Sequence, residues 1–287
     1  MTPLIIFYRI LNQEELSLLI MKTKILVYAD EGVSPYYLRH LVRWLKQTLP
    51  VEENLEICRV GADFLLYDPL WELFTRLLII PGGADRPYHK KLHGLGTVRI
   101  DNYVREGGGY LGICAGAYFA CKSLSFEEPN GEMFVASRSL GFFPGRAVGP
   151  AYGNLFSYTS PIGVRAAPLI INHSGKRCMT LFNGGPYFDQ ADSYPEITIE
   201  ARYEDLPSQP AAIISRQLGK GRVVLSGLHI EYLPEHCHMG EDNVVEAREK
   251  LKTTDAILGQ YRESLLSYLL NSESEGSSVS ATGLIES

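Results

Sequence analysis

Residues 112–116 read Gly-Ile-Cys-Ala-Gly, and they fall where the apolar run "GYLGIC" meets the helical stretch "AGAYFACKSL". A thiol at a strand-to-helix junction, with glycine two residues away on each side, fits the nucleophile-elbow pattern. The reason for the pattern is steric. A nucleophile at the tip of a sharp turn sits in a strained backbone conformation, and only glycines leave it room. The first N–H groups of the following helix favour thiolate over thiol. The competing reading of Cys114 is packing, a small residue buried at a tight junction.

A thiol nucleophile needs a base, and the base needs an orienting group. His229 ends the apolar run "RVVLSGLH", and Glu231 follows two residues later. On an extended segment residues i and i+2 share a side, so Glu231 can hold the imidazole in one tautomer. The alternative for His229 alone is a histidine at a strand end with no chemical role. A third stretch, Pro81-Gly82-Gly83, ends "RLLIIPGG" and can turn backbone N–H groups toward the same crevice. With the N–H of Ala115 these would make an oxyanion hole; the plain reading is a strand-end turn. The fourth stretch, "NGGPYF" at 183–188, can wall a pocket or form a β-turn packed on the core. Asp85, Arg86 and Tyr88 follow the glycine turn closely enough to read a polar substrate, whereas Lys90 and Lys91 read as solvated.

Metal chemistry has a weaker claim. His229, His236, Cys237 and His238 cluster in "HIEYLPEHCHMGED". Adjacent His-Cys-His ligands diverge and no second pair stands nearby, so no metal or other cofactor is expected. Cys121 lies seven residues after Cys114 on the expected helix 115–124, a rise of ~10.5 Å. That exceeds the ~7 Å reach of a disulfide, which leaves Cys121 to core packing.

The elements that must position these residues are legible as alternation. "KILVYAD", "EICRV", "RLLIIPGG" and "GYLGIC" read as strands. Helical spacing separates them, beginning with "SPYYLRHLVRWLKQTL", which has Ser34 as N-cap and Pro35 at its first position. Continuous apolar runs of this kind belong to parallel strands covered on both faces. Strands alternating with helices give an α/β fold. After about residue 130 the chain becomes β-rich. It includes a hairpin over 211–229 turning at "LGKG", and a helix follows over 244–271. Residues 1–22 read as an N-terminal extension, 23–272 as one domain, and the Ser-rich 273–287 as a disordered tail.

In 287 residues the formal charge is -6 and no dense Lys/Arg run occurs, which argues against a nucleic-acid partner. No apolar stretch reaches the ~18 residues of a membrane span. Five cysteines at irregular spacing argue for a reducing, cytoplasmic setting.

The glycine loop, elbow cysteine and late His-x-Glu, in that order, resemble the class I glutamine amidotransferase-like superfamily. "GLHIEY" is similar to its "HPE" signature, with Ile230 where proline is usual. More narrowly, "YADEGVSPYYLRHLVRWL", "LLIIPGGADRPYHKKLHGLGTVRIDNYVREGGGYLGICAGAYFA", "FNGGPYF" and "VVLSGLHIEY" resemble the N-terminal domain of biotin–protein ligases, which also occurs alone in bacteria. The resemblance implies a flavodoxin-like three-layer sandwich with a mainly parallel sheet, and a Cys114–His229–Glu231 triad. It implies an oxyanion hole from Gly82, Gly83 and Ala115, and a pocket drawn from Asp85, Arg86, Tyr88, Asn183, Gly184, Gly185 and Tyr187. It does not imply biotin transfer. Ligase domains carry a "GRGR"-type loop, whereas this chain has "GKGR" in a hairpin, followed by too few residues for a ligase domain. The expected function is a cysteine-nucleophile hydrolase or amidotransferase on a small amide or acyl compound. The alternative is a non-catalytic regulatory or ligand-binding domain, with a biotin-related protein as partner in trans.

Overall fold

The computed structural model describes residues 22–50, 54–153, 155–236 and 242–271. The extension before Lys22, the tail from residue 272, and Cys237 and His238 lie outside the described residues.

The first half alternates as its sequence requires. Strand β1 (Lys24–Tyr28) leads to helix α1 (Pro35–Thr48), β2 (Glu56–Val60), α2 (Ala62–Tyr67), α3 (Trp71–Phe74) and β3 (Thr75–Ile80). Helices α4 (Asp85–Leu92) and α5 (Leu95–Arg105) then precede β4 (Gly109–Ile113) and α6 (Ala115–Ala120). The β-rich half supplies β5 (Cys121–Glu127), β6 (Met133–Ser137), β7 (Phe143–Gly149), β8 (Arg165–Ile171), β9 (Arg177–Phe182), β10 (Tyr187–Phe188), β11 (Thr198–Tyr203), β12 (Ala211–Leu218) and β13 (Gly221–Ser226). Helices α7 (Asp242–Lys252) and α8 (Asp255–Leu270) follow.

All of these strands join one sheet in the order β2-β1-β3-β4-β13-β12-β10-β7-β5-β6, with β11, β8 and β9 branching from β12. The five strands from β2 to β13 are parallel, and β12 turns the sheet antiparallel. Alternate residues of the parallel strands feed two separate cores. Leu26, Leu78, Ile80 and Tyr110 pack with α2, α4, α5 and α6. Ile25, Val27, Leu77, Ile79 and Leu111 pack with α1 and α8 on the other face. Burial on both faces explains the unbroken apolar runs, and the result is the expected three-layer sandwich.

Two element boundaries and one cap differ from the sequence reading. Helix α6 stops at Ala120, and Cys121 opens a strand, where its thiol donates to the Ala117 carbonyl (3.1 Å). The single helix expected over 244–271 is two helices, broken at Thr253–Thr254; the Thr254 hydroxyl accepts the Met179 N–H (2.8 Å) and ties the break to β9. Ser34 does stand at the N-cap of α1, but its side chain makes no capping bond; its N–H instead donates to the Gly82 carbonyl (3.1 Å). No helix among the described residues is long and apolar enough to cross a membrane.

Candidate active site

Cys114 sits between β4 and α6 at φ 49°, ψ -103°, a left-handed region that a cysteine adopts only when its surroundings force it. The forcing contacts are the flanking glycines. A Cβ on Gly116 would stand 1.9 Å from the Ile80 carbonyl oxygen, and one on Gly112 would stand 2.6 Å from that of Gly116. The Cys114 N–H is fixed to the Ser226 carbonyl of β13 (2.8 Å), which locks the elbow to the adjacent strand end. The thiol is 5% exposed and donates to the Asn183 carbonyl (3.6 Å).

His229 follows β13 and forms an isolated bridge to Leu181, donating its N–H to that residue's carbonyl (2.9 Å). Its Nδ1 is 2.8 Å from Glu231 Oε1, and both side chains are buried. The pair forms through a turn, closed by Tyr232 N–H to the His229 carbonyl (3.1 Å), and not along an extended segment as expected. The other ring nitrogen, Nε2, makes no hydrogen bond of ordinary geometry. Burial disfavours charging this imidazole, but the Glu231 carboxylate and the neighbouring Cys114 sulfur outweigh it and raise its pKa. Tyr37, projected from α1, stacks on the ring at a centroid separation of 3.6 Å and an interplanar angle of 19°. On the ring's edge, a Cβ at Gly82 would stand 2.5 Å from His229 Cε1. The ring is therefore held by a hydrogen bond, a stacked face and a backbone that lacks a side chain.

The Pro81-Gly82-Gly83 turn lies beside this pair. Gly83 bridges to Val33 at φ 153°, and a Cβ there would stand 2.0 Å from the Gly32 carbonyl oxygen. The flanking Ala84 N–H donates to that same oxygen (2.8 Å), an arrangement that leaves the Gly83 N–H outside the pairing. The Ala115 N–H opens α6, where a helix offers no internal acceptor.

Cys114 lines two hollows, which also share Gly83, Phe156 and Tyr158. One is a slot walled by Tyr118, Leu124, Phe126, Phe134, Phe156 and Tyr158, with Arg86 and Glu128 at its rim. The other is lined by Ser34, Tyr37, Asn183 and His229. The expected pocket residues divide accordingly. Asp85 and Arg86 reach the slot, but both are already paired. The Asp85 carboxylate accepts from buried Arg138 (2.7 Å), and burial pushes its pKa up against that pull. Arg86 pairs with Glu128 and covers the Phe134 ring at 3.8 Å. Asn183 lines the second hollow, and Gly184 lines the slot. Three of the expected pocket residues have other surroundings in the structure. Tyr88 is fully buried, with its hydroxyl near the Pro81 and Gly82 carbonyls (3.2 and 3.3 Å), so it braces the glycine turn from behind. Gly185 packs on the Gly227 carbonyl. Tyr187 pairs with Val148 in β10 and faces a different hollow, with Asp189 and Pro207. Sequence reasoning missed Tyr37, which lies in a stretch that carries the family resemblance but in no catalytic pattern, and Phe156 and Tyr158, which lie in no motif.

No group of three His, Cys, Asp or Glu side chains among the described residues is arranged to hold a metal ion.

The family model "Biotin-protein ligase, N terminal" matches residues 23–282. An uncharacterised protein of Chlamydia muridarum is 61% identical over 249 residues, covering 86% of this chain and 95% of that one. The biotin–protein ligase of Schizosaccharomyces pombe is 36% identical over 217 residues; these cover 74% of this chain but 34% of the ligase, so the chain spans about a third of that relative. A glutamine amidotransferase from Thermotoga maritima shares the fold at a TM-score of 0.53 and 13% identity, covering 88% of this chain and 99% of that one. With its elbow cysteine and His-x-Glu on a class I glutamine amidotransferase-like fold, the chain belongs to the biotin–protein ligase N-terminal domain family.

Proposed function

We propose that the protein is a cysteine-nucleophile hydrolase or amidotransferase-like enzyme acting on a small amide or acyl compound. The observation that carries this reading is the state of His229: one nitrogen tied to a buried carboxylate, the other left without a hydrogen-bond partner, and the ring close enough to a thiol on a strained elbow to interact with it. A residue kept only for packing needs no such arrangement. In the proposed reaction Cys114 attacks the acyl carbon, and His229 takes the thiol proton and delivers it to the leaving group. Glu231 orients the ring and stabilises its charge. The Gly83 and Ala115 N–H groups receive the developing oxyanion; Gly82 keeps space for the histidine. The acyl-cysteine is then resolved by water or another nucleophile.

A second reading has its own support. The chain corresponds to about a third of a yeast ligase, which suits a regulatory or ligand-binding module working with a biotin-related partner in trans. Site-resolved alkylation separates the two. Iodoacetamide at pH ~7 should modify Cys114 well before Cys58, Cys121 and Cys178, and His229→Ala should slow it. A Cys114 rate equal to that of a model-peptide thiol, and indifferent to His229, removes the catalytic reading and leaves the binding module.

A further inference from the structure

The sheet ends at β6, which pairs with β5 alone among the described strands. Two bonds fix which backbone groups that pairing uses. The Arg138 N–H donates to the Lys122 carbonyl (2.9 Å), and the Glu128 N–H donates to the Glu132 carbonyl (2.8 Å). Bonded residues alternate along an antiparallel pair, so Phe134 and Ala136 direct their N–H and C=O groups to β5. Met133, Val135 and Ser137 turn theirs to the free edge. The Ser137 carbonyl accepts Arg138 Nη1 (2.8 Å) and keeps a second lone pair.

Free edges are usually blunted by lysine, proline or a bulge. β6 reads Met-Phe-Val-Ala-Ser and pairs with β5 without a break in register. Phe134 points to the slot beside Cys114. Met133 and Val135 alternate to the other face, where they are 56% and 65% exposed.

The strand is also its own complement. In a two-fold antiparallel pairing centred on Val135, Met133 meets the partner's Ser137 and Phe134 meets the partner's Ala136. Val135 meets the partner's Val135, so no two of the largest side chains collide. Charge obeys the same symmetry. Glu132 faces the partner's Arg138, and the partner's Lys122 stands one strand further on the same face. Two strand spacings, about 9.6 Å, separate the backbones of Glu132 and that lysine, a span their side chains bridge. Glu132 and Lys122 are both exposed and have no ion pair among the described residues, whereas Arg138 is committed to Asp85. Centring the pair on Phe134 or Ala136 instead moves Glu132 two residues along the partner strand, away from the lysine.

We propose that two copies of this chain pair through β6, antiparallel about Val135, so that one sheet runs through both. The pairing does not rest on the catalytic reading. A five-residue edge is smaller than a standard interface of ~1,600 Å², so the expected dissociation constant is about 10–100 µM.

Sedimentation equilibrium of the full chain from about 5 to about 500 µM spans that range and should show monomer giving way to dimer, less so at high salt. Val135→Lys sets two like charges against each other on the axis and should leave monomer throughout. Glu132→Lys should weaken the dimer about fivefold or more, and adding Lys122→Glu should restore it. Under mild oxidation Val135→Cys should give an intermolecular 135–135 disulfide by peptide mapping, since bonded partners have Cα atoms ~5.5 Å apart. Met133→Cys should give none, because its counterpart lies four residues away along the partner strand. All four positions are exposed, so these changes leave the core untouched. Monomer at every concentration would overturn the pairing and leave the edge to an extended segment of another protein. A dimer that survives Val135→Lys, or that forms no 135–135 link, would overturn it as well.

Discussion

At the scale of single residues, His229 is the informative group, because three unrelated contacts converge on one ring. Its raised pKa gives a signed prediction. An unfolded histidine titrates near ~6.5, so protonation of the folded ring favours the native state fully below that value. The contribution declines as pH rises toward the folded pKa. The gap in urea midpoint between wild type and His229→Gln should therefore be larger at pH ~6 than at pH ~9.5; a constant gap would mean that the ring does not gain its proton in the fold. Glu231→Gln should slow Cys114 alkylation less than His229→Ala, since the imidazole survives but loses its anchor. A larger effect from Glu231→Gln, read as the alkylation rate of Cys114 by mass spectrometry, would argue against an orienting role. The elbow cysteine and the His-x-Glu pair were each legible in the sequence because each is a local pattern. Tyr37 was not, because it meets His229 across about two thirds of the chain, and no pattern within α1 marks a stacking residue.

At the scale of elements, the glycines divide into two kinds that the sequence does not distinguish. Gly116 carries α6 against the end of β3; a methyl there meets backbone, which cannot move aside. Gly116→Ala should cost about 1–3 kcal/mol or more, visible as a lower denaturation midpoint. Gly82 meets only the His229 ring. Gly82→Ala should leave the midpoint much closer to wild type yet slow Cys114 alkylation, because the ring must shift. If both variants lost stability equally, the glycine turn would be a packing feature and no more. The alternating strands and helices were readable because burial on both faces leaves a continuous apolar signature. The end of α6 was not, since Cys121-Lys122-Ser123-Leu124 continues a plausible helical pattern and only pairing with β6 and β7 makes it a strand. The fate of Tyr187 was equally hidden. Pro186 accepts the Tyr203 hydroxyl (2.8 Å), and that anchor, made by a distant strand, starts β10 with Tyr187 facing away from the thiol.

At the scale of the molecule, a single sheet organises the described residues. Every strand among the described residues belongs to one sheet, and the apolar clusters pack against it or its branch, so all of this structure serves one scaffold. The "GKGR" stretch at 219–222 is the turn and first residues of the β12–β13 hairpin. There Arg222 donates to the Tyr268 carbonyl of α8 (2.8 Å) and lies over the Tyr268 ring at 4.9 Å. An arginine held this way fastens a helix to the sheet and is not presented to an adenylate. The 287-residue chain incubated with ATP, biotin and a biotin-acceptor domain should therefore leave the acceptor unmodified on a streptavidin blot. Arg222→Ala should lower thermal stability without any change in that blot. Biotin transfer by this chain alone, abolished in Arg222→Ala, would mean that the hairpin binds the adenylate and that its packing role here is secondary.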